Sequence, residues 1–290
     1  MALIPFDDRD GWIWYNGKMV PWRDAKLHVC SHGLHYGSCV FEGERAYGGK
    51  IFKSLEHTQR LHKSAELLGF KIPYSVEEIE KAKQELIEKN NLVDAYFRPV
   101  AWRGSEMMAI SAQQTKIHVA IATWDWPSYF GKEAKQRGLS LITSKWTRPA
   151  PHMAPTASKA AGLYMICTMS KHDAEAQGHN DALMHDYRGY LAEATGANLF
   201  LVIDGKIHTP TPDCILDGIT RRTVMDLARK EGMEVIERHI KPEELKNATE
   251  AFLTGTAAEV TPIGKVDDIS FTVGNVCNTL MDAYEKAVNA

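Results

Sequence analysis

Three dipeptides, each set between β-prone flanks, constrain the fold of the 290-residue chain more than any other feature. Asn16-Gly17 lies inside IWYNGKMVPW, Gly48-Gly49 inside RAYGGKIFKS and Asp204-Gly205 inside LFLVIDGKIHTP. A two-residue hairpin turn needs positive φ at its centre, and these pairs adopt it at low cost. Each therefore predicts two neighbouring antiparallel strands. Helical patterns alternate with them. Ser54 can cap SLEHTQRLHKSAELLGF, with Leu61, Ala65 and Leu68 as its apolar stripe and Gly69 as its stop. Ser75 and Glu78 form a capping box for SVEEIEKAKQELIEKNN. AYFRPVAW, KIHVAIATW and LSLITSKW read as strands, and DALMHDYRGYLAEAT as a strand pair turning at Arg188-Gly189. GLYMICTMSKHDAEAQG, ITRRTVMDLARKEG and GNVCNTLMDAYEKAVNA read as helices. The mixture is α+β and does not fit a uniform βαβ wind. TWDWPSYFGKEAKQRG has no clear period, so the chain divides into an N-terminal α/β domain at 1–125, a connection at 126–135 and a C-terminal domain at 136–290.

The composition excludes several classes. A net charge of −3 with no block of like charges lacks a nucleic-acid footprint. No apolar run approaches the length of a membrane span. The start, MALIPFDDRDGW, is acidic and unlike a signal peptide. Five scattered cysteines form no CxxC, which reads as a reduced, cytoplasmic protein.

Several residues could carry chemistry. Lys159, in APTASKAAG, has no acid within eight residues on either side, and its small neighbours leave room for something bulky to reach the amine. An amine becomes a useful nucleophile when its pKa is depressed, but a plain surface lysine fits the same spacing. In LDGIT, Asp217 or Gly218 can cap a helix whose free N–H groups, with the Thr220 hydroxyl, suit a phosphate. LTGTAAEV offers a second such place, at Gly255 and Thr256. For either segment a plain strand-to-helix turn is the alternative. Glu193 is an exposed charge or a carboxylate aimed inward at a cationic ring nitrogen. Arg98 and Tyr96, two apart on a strand, can give a small carboxylate a guanidinium and an aromatic wall, or Arg98 can belong to an edge-strand salt bridge beside Pro99. His28, His32 and His35 have the spacing of helical metal ligands, but Gly33 and Gly37 oppose a stable helix and no acid or cysteine completes a set. No metal is expected.

Taken in order, SHGLHYGSCVFEG, QRLHKSAELLGF, YFRP, APTASKAAGLY, YLAEATGANLF, LDGITRRTV and TGTAAEVTPI resemble the branched-chain amino acid aminotransferases, within the fold-type IV enzymes that use pyridoxal 5'-phosphate. The resemblance covers nearly the whole chain. It implies the two-domain, D-amino acid aminotransferase-like architecture with the cofactor at the domain interface. It implies that Lys159 is the lysine joined to the cofactor and then the general base, that Glu193 pairs with the pyridine nitrogen, and that Tyr164 lies beside the phenolic oxygen. Arg60, Ile219, Thr220 and Thr256 match the phosphate seat. Tyr36, Phe41, Tyr96, Trp126 and Tyr129 match the apolar substrate walls. Gly43 matches a position that leaves space, Arg98 supports carboxylate recognition, and Thr256-Ala257 adds backbone donors. The implied reaction is a ping-pong exchange between leucine, isoleucine or valine and 2-oxoglutarate. A homodimer or larger assembly is implied too, because the family's pocket borrows a loop from a neighbouring subunit.

Two places depart from the pattern. Glu44 stands where the family usually has an aliphatic residue, and either pairs with Arg45 or faces solvent. In AWRGSEMMAI, where the family is usually small and glycine-rich, Arg103 either binds a second carboxylate or exchanges a surface salt bridge with Glu106. Sister enzymes change specificity in this loop, so a D-amino acid or (R)-amine aminotransferase and an aminodeoxychorismate-type lyase are the alternatives. A non-enzymatic scaffold would lack bound cofactor.

Overall fold

The structure, a computed structural model, describes residues 4–126 and 136–290. The chain forms two compact units, Met1–Pro127 with Ser158–Gly162, and Ser128–Ala157 with Leu163–Ala290.

The first unit holds strands β1 (Trp12–Tyr15), β2 (Lys18–Pro21), β3 (Cys39–Phe41), β4 (Glu44–Tyr47), β5 (Lys50–Ile51), β6 (Ala95–Arg103) and β7 (Ile117–Asp125), with helices α1 (His32–Tyr36), α2 (Ser54–Leu67) and α3 (Val76–Lys89). The sheet order is β2-β1-β7-β6-β4-β5, with β3 also paired to β6. Both hairpin dipeptides of this unit turn as the sequence predicts: Asn16 and Gly17 have φ of 49° and 85°, Gly48 and Gly49 of 56° and 82°. Leu61 and Ala65 of α2 and Ile79, Ala82 and Leu86 of α3 join Val40, Ala46, Phe97, Val119 and Ile121 of the sheet in one core.

Pro99 lies in a central strand, which corrects the edge-strand alternative for its neighbour Arg98. Pro99 pairs with Ile121 on one side. On the other, β3 covers Val100 to Trp102 and β4 covers Ala95 to Phe97. Proline has no N–H to give to a ladder, and Pro99 falls in the break between β3 and β4, where Glu42 N–H donates to its carbonyl at 2.8 Å.

Helix α3 has the expected capping box at Ser75 and Glu78. Helix α2 differs: its N-cap is Lys53, at φ 55°, and Ser54 is already helical. The Ser54 hydroxyl instead accepts from Lys83 Nζ at 3.1 Å. Lys83 is fully buried and also donates to Glu44 at 2.7 Å, Thr58 at 2.6 Å and Glu80 at 2.9 Å. Glu44 is therefore buried against Lys83, and neither of its expected placements, beside Arg45 or in solvent, is found.

The second unit holds β8 (Leu139–Arg148), β9 (Asp181–Asp186), β10 (Leu191–Ala194), β11 (Asn198–Ile203), β12 (Lys206–Pro210), β13 (Val235–Arg238), β14 (Ala248–Gly255), β15 (Glu259–Val266) and β16 (Ile269–Ser270), with helices α4 (Met165–Ala176), α5 (Ile219–Lys230) and α6 (Asn275–Val288). Strands β8, β15, β14, β11, β10 and β9 pair in turn, and β9 returns to β8, so six strands close a ring. Closure leaves these strands without an edge. Leu139, Leu183, Leu191, Leu199, Leu253 and Ile263, one from each, meet in its core. Because strand side chains alternate, Asn198, Phe200, Phe252 and Thr254 point to the other face, where Phe200 stacks on Phe252 at 5.1 Å. β8 runs parallel to β9 and β15, so the sheet is mixed.

Candidate active site

Lys159 belongs to the first unit although it follows the strand β8 of the second. Its backbone is tied down on two sides. Ala160 bridges Val40, and Phe41 N–H donates to Lys159 O at 3.2 Å. Lys159 N–H donates to the Ser64 hydroxyl and Ser158 Oγ donates to Ser64 O, both at 3.0 Å. Gly162 lies beside Gly37, where an added Cβ would stand 3.9 Å from the Gly37 backbone, an ordinary contact.

The amine lies 4.9 Å from the Phe41 ring centre. Arg98 lies over Phe41 at 4.9 Å and over Tyr96 at 5.3 Å, and its Nη2 donates to the Tyr96 hydroxyl at 3.2 Å. Tyr96 in turn packs on Trp124 and Trp126 at 5.2 and 5.1 Å. Phe41, Tyr96, Arg98, Trp126 and Lys159 thus form one cluster. Burial, and then the Arg60 guanidinium, push the Lys159 amine down to about 8, with Glu42 pulling against them. Gly43 is required by the same cluster, since an added Cβ would stand 2.1 Å from the Tyr96 hydroxyl. Tyr36 is 44% exposed and rests on the His32 ring at 4.6 Å. Tyr129 lies outside the described residues.

Arg60, on α2, meets a residue to which the sequence assigned no role. Glu42 is completely buried. Arg60 donates through Nε to Oε1 at 2.7 Å and through Nη2 to Oε2 at 2.9 Å, and His57 Nδ1 lies 2.7 Å from Oε2. Burial alone would push the Glu42 carboxyl up; Arg60 and His57 overturn that and hold it well below the usual carboxylate range.

In the second unit, Glu193 on β10 faces Arg148 Nε at 3.2 Å and accepts from Asn198 Nδ2 at 3.2 Å. Burial works against the Arg148 charge, but Glu193, Cys167 and Tyr164 outweigh it and raise its pKa. Asn198 Nδ2 also donates to Leu216 O at 3.0 Å, and a Cβ on Gly218 would stand 2.1 Å from Asn198 Oδ1. Asn198 therefore ties the Glu193 carboxylate to the start of α5. There Gly218 is the N-cap with no side-chain cap, and Ile219 and Thr220 are buried. Asp217, the other capping candidate, pairs with Arg221 at 2.9 Å. Thr256 and Ala257 lie in the turn between β14 and β15, a strand-to-strand turn where a strand-to-helix one was expected. A Cβ on Gly255 of this turn would be 3.4 Å from Gly196 O, which sets the turn against the Glu193 hairpin.

Arg103 takes neither of its expected roles. It is buried, donates to Ala112 O at 2.9 Å and Gly69 O at 2.8 Å, and lies over Phe70 at 5.4 Å. Glu106 instead accepts from Lys116 N–H at 3.0 Å. The histidine segment also differs from expectation, since His32–Tyr36 form one helical turn closed by Gly37 at φ 70°. His32 Nε2 and His35 Nε2 face the carbonyls of Ala109 and Val29 at 3.0 and 2.8 Å. Among the described residues, Asp186, Asp213 and Cys214 have metal-ligand spacing, but Arg188 Nη2 already bonds both carboxylates, at 2.6 and 2.8 Å. No helix among them is long and apolar enough to cross a membrane.

Sequence reasoning missed Glu42, His57, Arg148 and Asn198. Glu42 was inside a quoted motif, but its partners are 15 and 18 residues away, and no local spacing marks such a contact.

The model of the amino-transferase class IV family matches residues 39–266. A branched-chain-amino-acid aminotransferase of Pseudomonas aeruginosa is 44% identical over 96% of this chain and 92% of its own. Two solved structures of the T.th. branched-chain amino acid aminotransferase superpose closely. The one with pyridoxamine 5'-phosphate has a TM-score of 0.93 and 40% identity over 97% of this chain and 94% of that one. The one complexed with N-(5'-phosphopyridoxyl)-L-glutamate has a TM-score of 0.92 and 38% identity, with the same coverage.

Proposed function

Because the chain belongs to the class IV amino-transferase family, we propose that it moves the amino group of leucine, isoleucine and valine to 2-oxoglutarate, with pyridoxal 5'-phosphate as cofactor. The observation that carries this reading is the Lys159 amine, brought down to about 8 and set against Phe41, Tyr96 and Arg98. An amine of that pKa is neutral often enough near pH 7 to attack a carbonyl and to accept a proton.

The residues fit the cofactor. Lys159 would hold its aldehyde carbon. The uncapped start of α5 at Gly218, Ile219 and Thr220 would hold its phosphate, with Arg60 and Thr256. The buried Thr254 hydroxyl has no hydrogen-bond partner among the described residues, on a face of β14 directly opposite Asn198. Glu193, kept in place by Arg148 and Asn198, would face the pyridine nitrogen, and Tyr164 the phenolic oxygen. When bound, the cofactor supplies the electron-withdrawing ring that makes the Cα proton removable. Lys159 Nζ takes that proton and hands it on. Arg98, steadied by Tyr96, orients the substrate carboxylate, and Ala257 adds backbone donors. Phe41, Tyr96, Trp126 and Tyr36 wall in an aliphatic side chain beside Gly43 and exclude water.

Arg103 gives no support to a change of specificity in the 101–110 loop, because its guanidinium is spent on the Ala112 and Gly69 carbonyls. A second copy of the chain completes the enzyme, supported by exposed Leu34 and Ile110. Five free cysteines support a reducing cytoplasm. The test is a half-reaction of cofactor-loaded protein with L-leucine, D-alanine or (R)-1-phenylethylamine, following the cofactor's visible band. Bleaching by L-leucine alone is expected. Bleaching by D-alanine or the amine with L-leucine inert, or pyruvate release without a second keto acid, would replace the proposed activity with a sister one.

A further inference from the structure

Glu42 sits where the β3 and β4 ladders break, and it stays there because Gly43 beside it has no Cβ to strike Tyr96. Its carboxylate is completely enclosed and both oxygens accept hydrogen bonds: Arg60 Nε on Oε1, and Arg60 Nη2, His57 Nδ1 and Gly43 N–H on Oε2. His57 and Arg60 are three residues apart on α2, so both face Glu42 from one side of the helix. A two-point guanidinium–carboxylate pair fixes the plane of the arginine as well as its position. A buried carboxylate of this kind stabilises a protein little by itself, since desolvation offsets most of the attraction. It does fix a direction.

We propose that Glu42 is a positioning residue for cofactor binding, which acts by orienting the Arg60 guanidinium toward a phosphate group. This rests on the reading of Arg60 as a phosphate ligand of pyridoxal 5'-phosphate. Glu42 touches no reacting atom, and its hold on a phosphate passes through Arg60; its pull on the Lys159 charge bears equally on ligands with and without the phosphate. The part of its effect that is selective for the phosphate form is therefore the part that passes through Arg60.

The experiment titrates the full chain, stripped of cofactor, with pyridoxal 5'-phosphate and with pyridoxal, reading the absorbance of the bound ring. In E42Q, affinity for pyridoxal 5'-phosphate should fall by roughly ten- to a hundredfold, the usual effect of losing a partner that orients a ligand-binding group. Affinity for pyridoxal should fall far less, by the effect on the Lys159 amine alone. In an R60A background E42Q should act equally on both ligands, because the selective part of its effect is coupled to Arg60. E42D, which keeps the charge but shortens the reach, should show the same selective loss to a smaller degree, and decides the matter if E42Q does not fold. Equal losses for both ligands, or an undiminished grip on the phosphate form, would overturn the proposal while leaving the cofactor reading intact. An unsubstituted chain that binds neither ligand would overturn both.

Discussion

Lys159 makes the sharpest prediction at the scale of one residue. An ordinary lysine amine titrates at about 10.5, whereas burial and Arg60 bring this one to about 8. In the cofactor-free protein, competitive acetylation mapped by peptide mass should give Lys159 a reactivity midpoint near pH 8. The stability linkage has a definite sign. Between about 8 and 10.5 the unfolded chain holds the proton and the folded chain has released it, so stability rises with pH across that window. The handicap is complete below about 8. Lys159→Met should remove the rise, so its thermal midpoint should gain on the parent at pH 7 and lose that gain by pH 10. A midpoint above pH 10 for Lys159 acetylation would mean that the amine is solvated, and the neutral nucleophile would go with it.

Among elements, the packing of α3 on β4 and α2 turns on a buried charge. Lys83 reaches Glu44, Glu80, Thr58 and Ser54 from α3, while burial pushes the Glu44 carboxyl up against the pull of Lys83. Removing one partner of such a pair leaves an uncompensated charge, whereas replacing both with apolar side chains is often neutral or better. Lys83→Met alone should therefore lose about 3–5 kcal/mol in urea unfolding, and Lys83→Met with Glu44→Leu should recover nearly all of it. A double variant as unstable as the single one would show that the pair cannot be replaced by packing. The same network marks the limit of sequence reading. The hairpins and the Ser75–Glu78 box were legible because each signal and its partner lie within a few residues. Ser54 had the right identity for a cap, yet Lys83, from the next helix, took its hydroxyl. Glu42 and Arg148 were invisible for the same reason: each acts on a residue whose distance in sequence is set by the fold and by no local period. Asn198 lies only five residues from Glu193, but its second partner, Leu216 O, is eighteen away. Lys159 stood out only by its small, uncharged neighbours, and the family resemblance, not the spacing, gave it a role.

For the whole molecule, the exposed apolar surface of the first unit predicts an assembly. Leu27 and Leu34 line a cavity of about 530 Å³ with Ile13, Tyr15, Val100 and Trp102. Leu34 is 63% exposed and Ile110 81% exposed. His32 Nε2 meets Ala109 O at 3.0 Å, which ties the helix bearing Leu34 to the loop bearing Ile110. Large apolar side chains exposed beside an apolar cavity mark an interaction site. A second copy of the chain fits this region, because the same short helix carries Tyr36, assigned above to a substrate wall yet 44% exposed on its own chain. Light scattering should return a mass at least twice the 32.5 kDa of the chain. Leu34→Glu should shift it toward the single chain at an unchanged far-ultraviolet spectrum, because a charge buried in an apolar contact opposes association and not folding. Turnover should fall with the shift, and the fall should reverse as protein concentration rises. A Leu34→Glu chain of single-chain mass with full turnover would place every residue of the pocket on one copy and leave the exposed patch to another use.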